Sequence, residues 1–161
     1  MNIRRSSVLV TSIIGILLTT GCDFFSGKKK EALRLVNVLD KPEFQDCCIP
    51  SSTNVSVMEL AKASEKWSKD DTLVFYCSNY MCTASSTACK IAKKLGFTKA
   101  YAYEEGMAGW YQAGLLYEGP GKSSYLTMEN RKPENKHSDV LIVDTFELKT
   151  MLEKEGIITN K

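Results

Sequence analysis

Cys77 and Cys82 stand five positions apart in TLVFYCSNYMCTA, where an apolar run delivers a thiol into a short loop and an amphipathic run follows. A thiol is a nucleophile only as its thiolate. The end of a strand facing the start of a helix favours that form, because loop amides and helix N–H groups carry partial positive charge. Ser78, Asn79, Tyr80, Met81 and Thr83 are the residues expected to build an anion-binding loop, with the N–H groups of residues 78–81 turned inward. Ser85 adds a hydroxyl. The loop holds no Lys, Arg or His, so neutral dipoles would have to carry the negative charge. Cys82 is open to two readings. It is a resolving thiol, able to attack a sulfur-loaded or oxidised Cys77 and form a disulfide, or it is a small side chain at a helix start.

The other cysteines sit at 22, 47, 48 and 89. They do not form a disulfide framework, since the chain has enough apolar residues to fold without one. Zinc ligation is not indicated either: no CxxC pair exists, and the only histidine, His137, lies in a polar stretch. No metal and no cofactor is expected. Cys89 falls on the apolar face of the helix after the loop. Cys47 and Cys48 read as packing residues, with metal binding or redox pairing as the alternative.

The elements that must position the loop follow from pattern. Residues 33–38 read as a strand. Asp40 offers an N-cap, and Pro42 suits a first helical turn. Residues 53–55 read as a short strand. Ser56 and Glu59 form a capping-box pattern that predicts a helix to about Lys69, with Val57, Leu60, Ala61, Ala63 and Trp67 available for burial. Residues 73–76 are continuously apolar, as in a central parallel strand covered on both faces. The helix behind the loop runs to Leu95, and Gly96 stops it. A strand over 100–103 and a short helix over 107–113 come next. Residues 121–138 are polar and rich in breakers, and read as a linker. Residues 140–143 then predict a strand, Asp144 a cap, and 146–155 a helix with Phe146, Leu148, Met151 and Leu152 apolar. Strand–helix alternation of this density implies an α/β fold with a mostly parallel sheet of about five strands and right-handed crossovers.

Composition narrows the partners. Lys+Arg number 21 and Asp+Glu 19; without Arg4 and Arg5, which lie in a segment expected to be removed, the two counts are equal at 19. A neutral chain gives no electrostatic basis for nucleic-acid binding. Residues 1–21 read as an export signal: a basic start, then an apolar run too short to span a bilayer. Leu18-Thr19-Thr20-Gly21-Cys22 resembles a lipobox, with Thr19 where leucine is usual. That resemblance implies lipidation of Cys22 and cleavage just before it. The expected result is a lipoprotein of the bacterial cell envelope, membrane-anchored and facing the extracytoplasmic side, with residues 22–32 as its tether.

Four segments together resemble the rhodanese-like domains, sulfurtransferases with one cysteine in a cradle loop. LRLVNVLDKPEF resembles the family's strand and short helix. CCIPSSTNVSV is similar to its His-Ile-Pro-Gly-Ala segment, VFYCSNYMCTAS to its active-site strand and loop, and LGFTKAYAYEEGMAGWYQAG to its last strand, Gly-rich turn and Trp-containing helix. The resemblance implies a three-layer α/β sandwich over a core of residues 33–120. It also implies a persulfide on Cys77, taken from a small sulfur donor (thiosulfate, polysulfide or persulfide) and passed to a thiol acceptor. The loop has the family's sulfurtransferase length and lacks the arginine that related phosphatases need. Asn37 and Leu39 stand where the family often has Asp-x-Arg, and Cys82 where it often has arginine, which argues against a preference for thiosulfate. A thiol–disulfide protein using Cys77 and Cys82, and a non-catalytic binding module, are the alternatives. Family members begin with a further strand and helix. Here residues 139–161 are expected to dock on the core in that role, with a loosely attached terminal strand and helix as the alternative.

Overall fold

The computed structural model describes residues 31–134 and 139–159. The expected signal segment, the lipidation site Cys22 and His137 lie outside them. A five-stranded sheet forms the middle layer, with strand order β2-β1-β3-β4-β5. The strands are β1 (Leu33–Asn37), β2 (Thr53–Asn54), β3 (Thr72–Tyr76), β4 (Ala100–Tyr103) and β5 (Leu141–Ile142), and every pairing is parallel. Helices cover both faces: α1 (Lys41–Asp46), α2 (Leu60–Ala63), α3 (Ala84–Lys94), α4 (Gly106–Gln112) and α5 (Thr145–Lys154). The architecture is thus the expected α/β sandwich. No helix among the described residues is long and apolar enough to cross a membrane.

The period-two alternation of β3 builds two cores at once. Leu73, Phe75 and Cys77 point into a cluster with Leu60 of α2 and Ala88, Cys89 and Ala92 of α3. Val74 and Tyr76 point the other way, toward Met107 and Trp110 of α4 and Leu148 and Leu152 of α5. Cys77 therefore belongs by register to the α3 side. In this strand order the chain reverses its direction of growth between β1 and β3, and ligands of open α/β sheets bind at that point, beyond the carboxyl ends of the strands. Cys77 follows the last residue of β3 and lies there.

Four local readings differ from the structure. The pattern at Ser56–Glu59 does not open a long helix: the Ser56 hydroxyl bonds the Glu59 carboxylate at 2.9 Å, and α2 is a single turn. The next turn is 3₁₀, with the Ser64 hydroxyl bonded back to the Ala61 carbonyl at 3.1 Å, a side-chain bond that competes with helical geometry. Asp40 occupies the N-cap of α1, but its side chain makes no capping bond. Phe146 is 76% exposed; α5 turns Leu148 and Leu152, one turn apart, to the core, which leaves Phe146 on another side of the helix. Asp144 does cap α5, through a complete capping box with Glu147.

The segment expected to be a linker is tied down. Leu126 is fully buried in a 3₁₀ turn, Ser124–Leu126. The Asp46 carboxylate accepts the amides of Lys122 and Ser123, and Gln112 donates to the carbonyls of Leu126 and Met128. These bonds satisfy a backbone that has no sheet or helix partner. The polar composition that reads as solvated linker is here the supply of those partners.

Candidate active site

The loop after β3 is held through its carbonyls. The first amides of α4 donate to it, Met107 N to Cys77 O and Ala108 N to Ser78 O, each at 2.8 Å. This close approach requires glycine at 106. Gly106 has φ +64°, and a Cβ there would lie 2.7 Å from Cys77 O, Ser78 C and Asn79 N.

The loop amides do not form the expected inward nest. Tyr80 N donates to Asn130 Oδ1 at 3.1 Å, Met81 N to Asn79 Oδ1 at 3.0 Å, and Cys82 N to Asn79 O at 3.0 Å. Asn79 acts on its own loop as an Asx turn, and Asn130 takes one amide from outside. Met81 is 75% exposed, and Thr83, also exposed, stands at the N-cap of α3 without a capping bond. Of the expected loop residues, only Ser78 turns hydrogen-bond donors toward a sulfur, and that sulfur belongs to Cys82.

Cys77 and Cys82 are brought together. Cys77 has no exposed surface, while Cys82 is half-buried at the rim. The Cys77 thiol lies 3.6 Å from the Cys82 carbonyl and 3.6 Å from Ser85 Oγ, and the two thiols titrate as a pair. The two sulfurs compete for one proton. Cys82 gains most from the hydrogen bond that Cys77 donates; burial opposes its ionisation, but the amides of Ala84 and Ser78 outweigh that cost. Its pKa falls to about 6. Cys77 is pushed strongly up, first by that same bond and then by burial. The expectation that the dipoles of loop and helix would acidify Cys77 is therefore corrected: the amide and hydroxyl of Ser85 do face Cys77, but the neighbouring Cys82 and burial outweigh them, because the Cys77 side chain follows the strand register inward. Burial, then the carboxylates of Glu105, Glu104 and Asp144, push the Tyr80 phenol up, so the mouth of the loop is acidic.

Residues 25–113, more than half of the chain, match the rhodanese-like domain family. The chain belongs to that family. An HTH-type transcriptional regulator of Mycobacterium tuberculosis is 31% identical over 90 residues, which are 55% of this chain and 39% of the relative. The chain thus spans about two fifths of that relative's length. Among solved structures, a Bacillus halodurans protein superposes with TM-score 0.55 at 21% identity, covering 62% of this chain and 74% of that one. A rhodanese-like domain from an Anabaena protein superposes with TM-score 0.51 at 20% identity, covering 69% and 82%. At these identities the likeness is one of fold.

In this rhodanese-like domain the remaining described cysteines are packing residues. Burial raises Cys47 to about 11 and Cys89 to about 12, and it raises Cys48 as well. No group of three or more potential metal ligands occurs among the described residues. Around CCIPSS, Ile49 N and Ser52 Oγ both bond the Tyr76 hydroxyl, at 3.1 and 2.8 Å, which fixes this segment to the other face of β3. Sequence reasoning missed the outer frame of the loop. Asn130 Nδ2 donates to Glu105 O at 2.8 Å, and the Glu105 carboxylate accepts both the amide and the hydroxyl of Thr145. The tail and the supposed linker thereby meet at the loop. No signal in a polar run distinguishes Asn130 from its neighbours.

A pH dependence follows. Cys82 should stay a thiolate above pH 6 and lose its charge as pH falls through about 6, against an ordinary thiol value of 9.0. Iodoacetamide labelling of Cys82, read by peptide mass, is expected to be half-maximal near pH 6. Cys77→Ala removes the largest stabilising donor and should move the midpoint up toward 9; Cys77→Ser keeps a donor and should lie between. An unmoved midpoint in Cys77→Ala would sink the shared-proton account.

Proposed function

We propose that this domain carries sulfane sulfur as a persulfide on Cys77, with Cys82 as its proton acceptor, and passes it to a thiol. The observation that supports this reading is the Cys77 thiol packed against Cys82, with 3.6 Å between its sulfur and the Cys82 carbonyl, at the carboxyl end of β3 in a rhodanese-like domain. Cys77 attacks the outer sulfur of a persulfide or polysulfide donor, the donor's S–S bond breaks, and a thiolate or shorter polysulfide leaves. The Cys77 proton passes to Cys82, which acts as the adjacent base. Cys77 is closed over in this structure, and the rim formed by Cys82 and Met81 is the side from which a donor would enter. The acidic mouth and the diverted amides favour donors without an oxyanion group, such as persulfides, over thiosulfate.

The test is intact mass after brief exposure of the reduced protein to inorganic polysulfide or to thiosulfate, followed by desalting. One added sulfur from polysulfide is expected, with on the order of tenfold less from thiosulfate, since each unfavourable 1.4 kcal/mol is tenfold. Cys77→Ala should take up none. An adduct that survives in Cys77→Ala and maps to Cys82 would overturn the assignment.

A further inference from the structure

Resting on the persulfide reading, we propose that Cys82 resolves the loaded Cys77 within the domain, releasing hydrogen sulfide and leaving a Cys77–Cys82 disulfide. Three observations carry this. The Cys77 sulfur lies 3.6 Å from the Cys82 carbonyl and both residues reside on one short loop, so the second thiol attacks at high effective concentration. Cys77 has no exposed surface while Cys82 does, so an external thiol meets the rim before it meets the persulfide. Three loop amides that could stabilise an anionic outer sulfur are otherwise engaged: those of Tyr80, Met81 and Cys82 are bonded to Asn130 and Asn79, and the loop holds no cation. A persulfide formed here is confined beside a nucleophile and given little else to hold it.

The step balances without an added oxidant. After loading, and at neutral pH, the pair is Cys77–S–S⁻ beside Cys82–SH, with one proton and one negative charge. Cys82 Sγ attacks Cys77 Sγ, and the bond from Cys77 Sγ to the outer sulfur breaks. The outer sulfur leaves as HS⁻ with the proton from Cys82. The sulfane sulfur is reduced to sulfide, and the two cysteines are oxidised to the disulfide. A dithiol reductant returns the domain to its starting state.

The experiment uses the reduced full chain, loaded with inorganic polysulfide and rapidly desalted. Mass and free sulfide are then followed together. In the wild type the adduct should give way to a species two hydrogens lighter than the reduced protein, with one sulfide released for each adduct lost and no external thiol present. Cys82→Ser should load more slowly, hold its adduct, and release sulfide on the order of a hundredfold more slowly. A wild-type adduct that persists unchanged, or sulfide release undiminished in Cys82→Ser, overturns resolution by Cys82 and leaves the carrier reading standing. If neither protein gains sulfur and no sulfide appears, the carrier reading fails with it. Equal thermal melting of the two reduced proteins shows that the serine variant is folded.

Discussion

Gly106→Ala should lower the melting temperature by roughly 10–15 °C, because the added methyl group meets the backbone of the loop. Residue 106 sits at φ +64°, where an L side chain costs about 1–2 kcal/mol. The added Cβ also meets backbone on three sides at 2.7 Å, and backbone cannot step aside as a flexible side chain can. Relief means moving α4 away from the loop, which gives up the bonds from Met107 and Ala108 to Cys77 and Ser78. Overpacking of this kind adds about 1–3 kcal/mol. A total of roughly 2–5 kcal/mol, in a domain of this size, corresponds to a shift of that order. Gly114→Ala separates the causes. Its φ is +68°, but a Cβ there meets nothing within 4 Å, so only the conformational cost of about 1–2 kcal/mol should appear. Equal losses in the two variants, measured by thermal denaturation, would show that the contact with the loop is immaterial.

Ending the chain after Glu134 should abolish cooperative unfolding. The lost segment contains β5, which pairs with β4 through Tyr101↔Leu141 and Ala102↔Ile142 and extends that ladder with Val143 N to Ala102 O. It also contains Val143, Leu148 and Leu152, all buried against Tyr76, Tyr103 and Trp110. Three such side chains at about 1.5–3 kcal/mol each amount to roughly 5–9 kcal/mol, comparable to the whole stability of a typical domain at about 5–15 kcal/mol. The edge of β4 would be left unpaired as well, a template for aggregation. Leu148→Ala tests the packing part alone, with an expected loss of about 2–5 kcal/mol in denaturant unfolding. A truncated chain that melts at the same temperature as the full one would make the tail an appendage. The truncation should also loosen the loop after β3, because Thr145 is the residue that the Glu105 carboxylate holds.

How much of this was legible in sequence depends on how far each interaction reaches along the chain. The apolar run of β3, the amphipathic run of α3 and the turn between them are local, and they placed Cys77 at the end of a central strand. The alternation of apolar residues in β3 already contains the fact that Cys77 points to the α3 side, although reading it needs the position of α3. The capping box at Asp144 is equally local and forms as its pattern says. The similar pattern at Ser56 fails, because its two side chains bond each other and the Glu59 amide goes to the Ser56 carbonyl instead of the hydroxyl.

The sequence by itself determined an α/β sandwich, a thiol at the carboxyl end of its central strand, and a second thiol five residues on. Tertiary structure decided what those thiols can do. Asn130 lies fifty residues from Tyr80 and takes the amide that would otherwise face the sulfur. Glu105 and Asp144 give the mouth its negative character from β4's end and α5's start. The amides of α4 hold the carbonyls of Cys77 and Ser78, at the start of the loop that sets Cys82 beside Cys77. These are long-range constraints with no periodicity or composition to announce them, and they exist only once the sheet has brought the ends of its strands together.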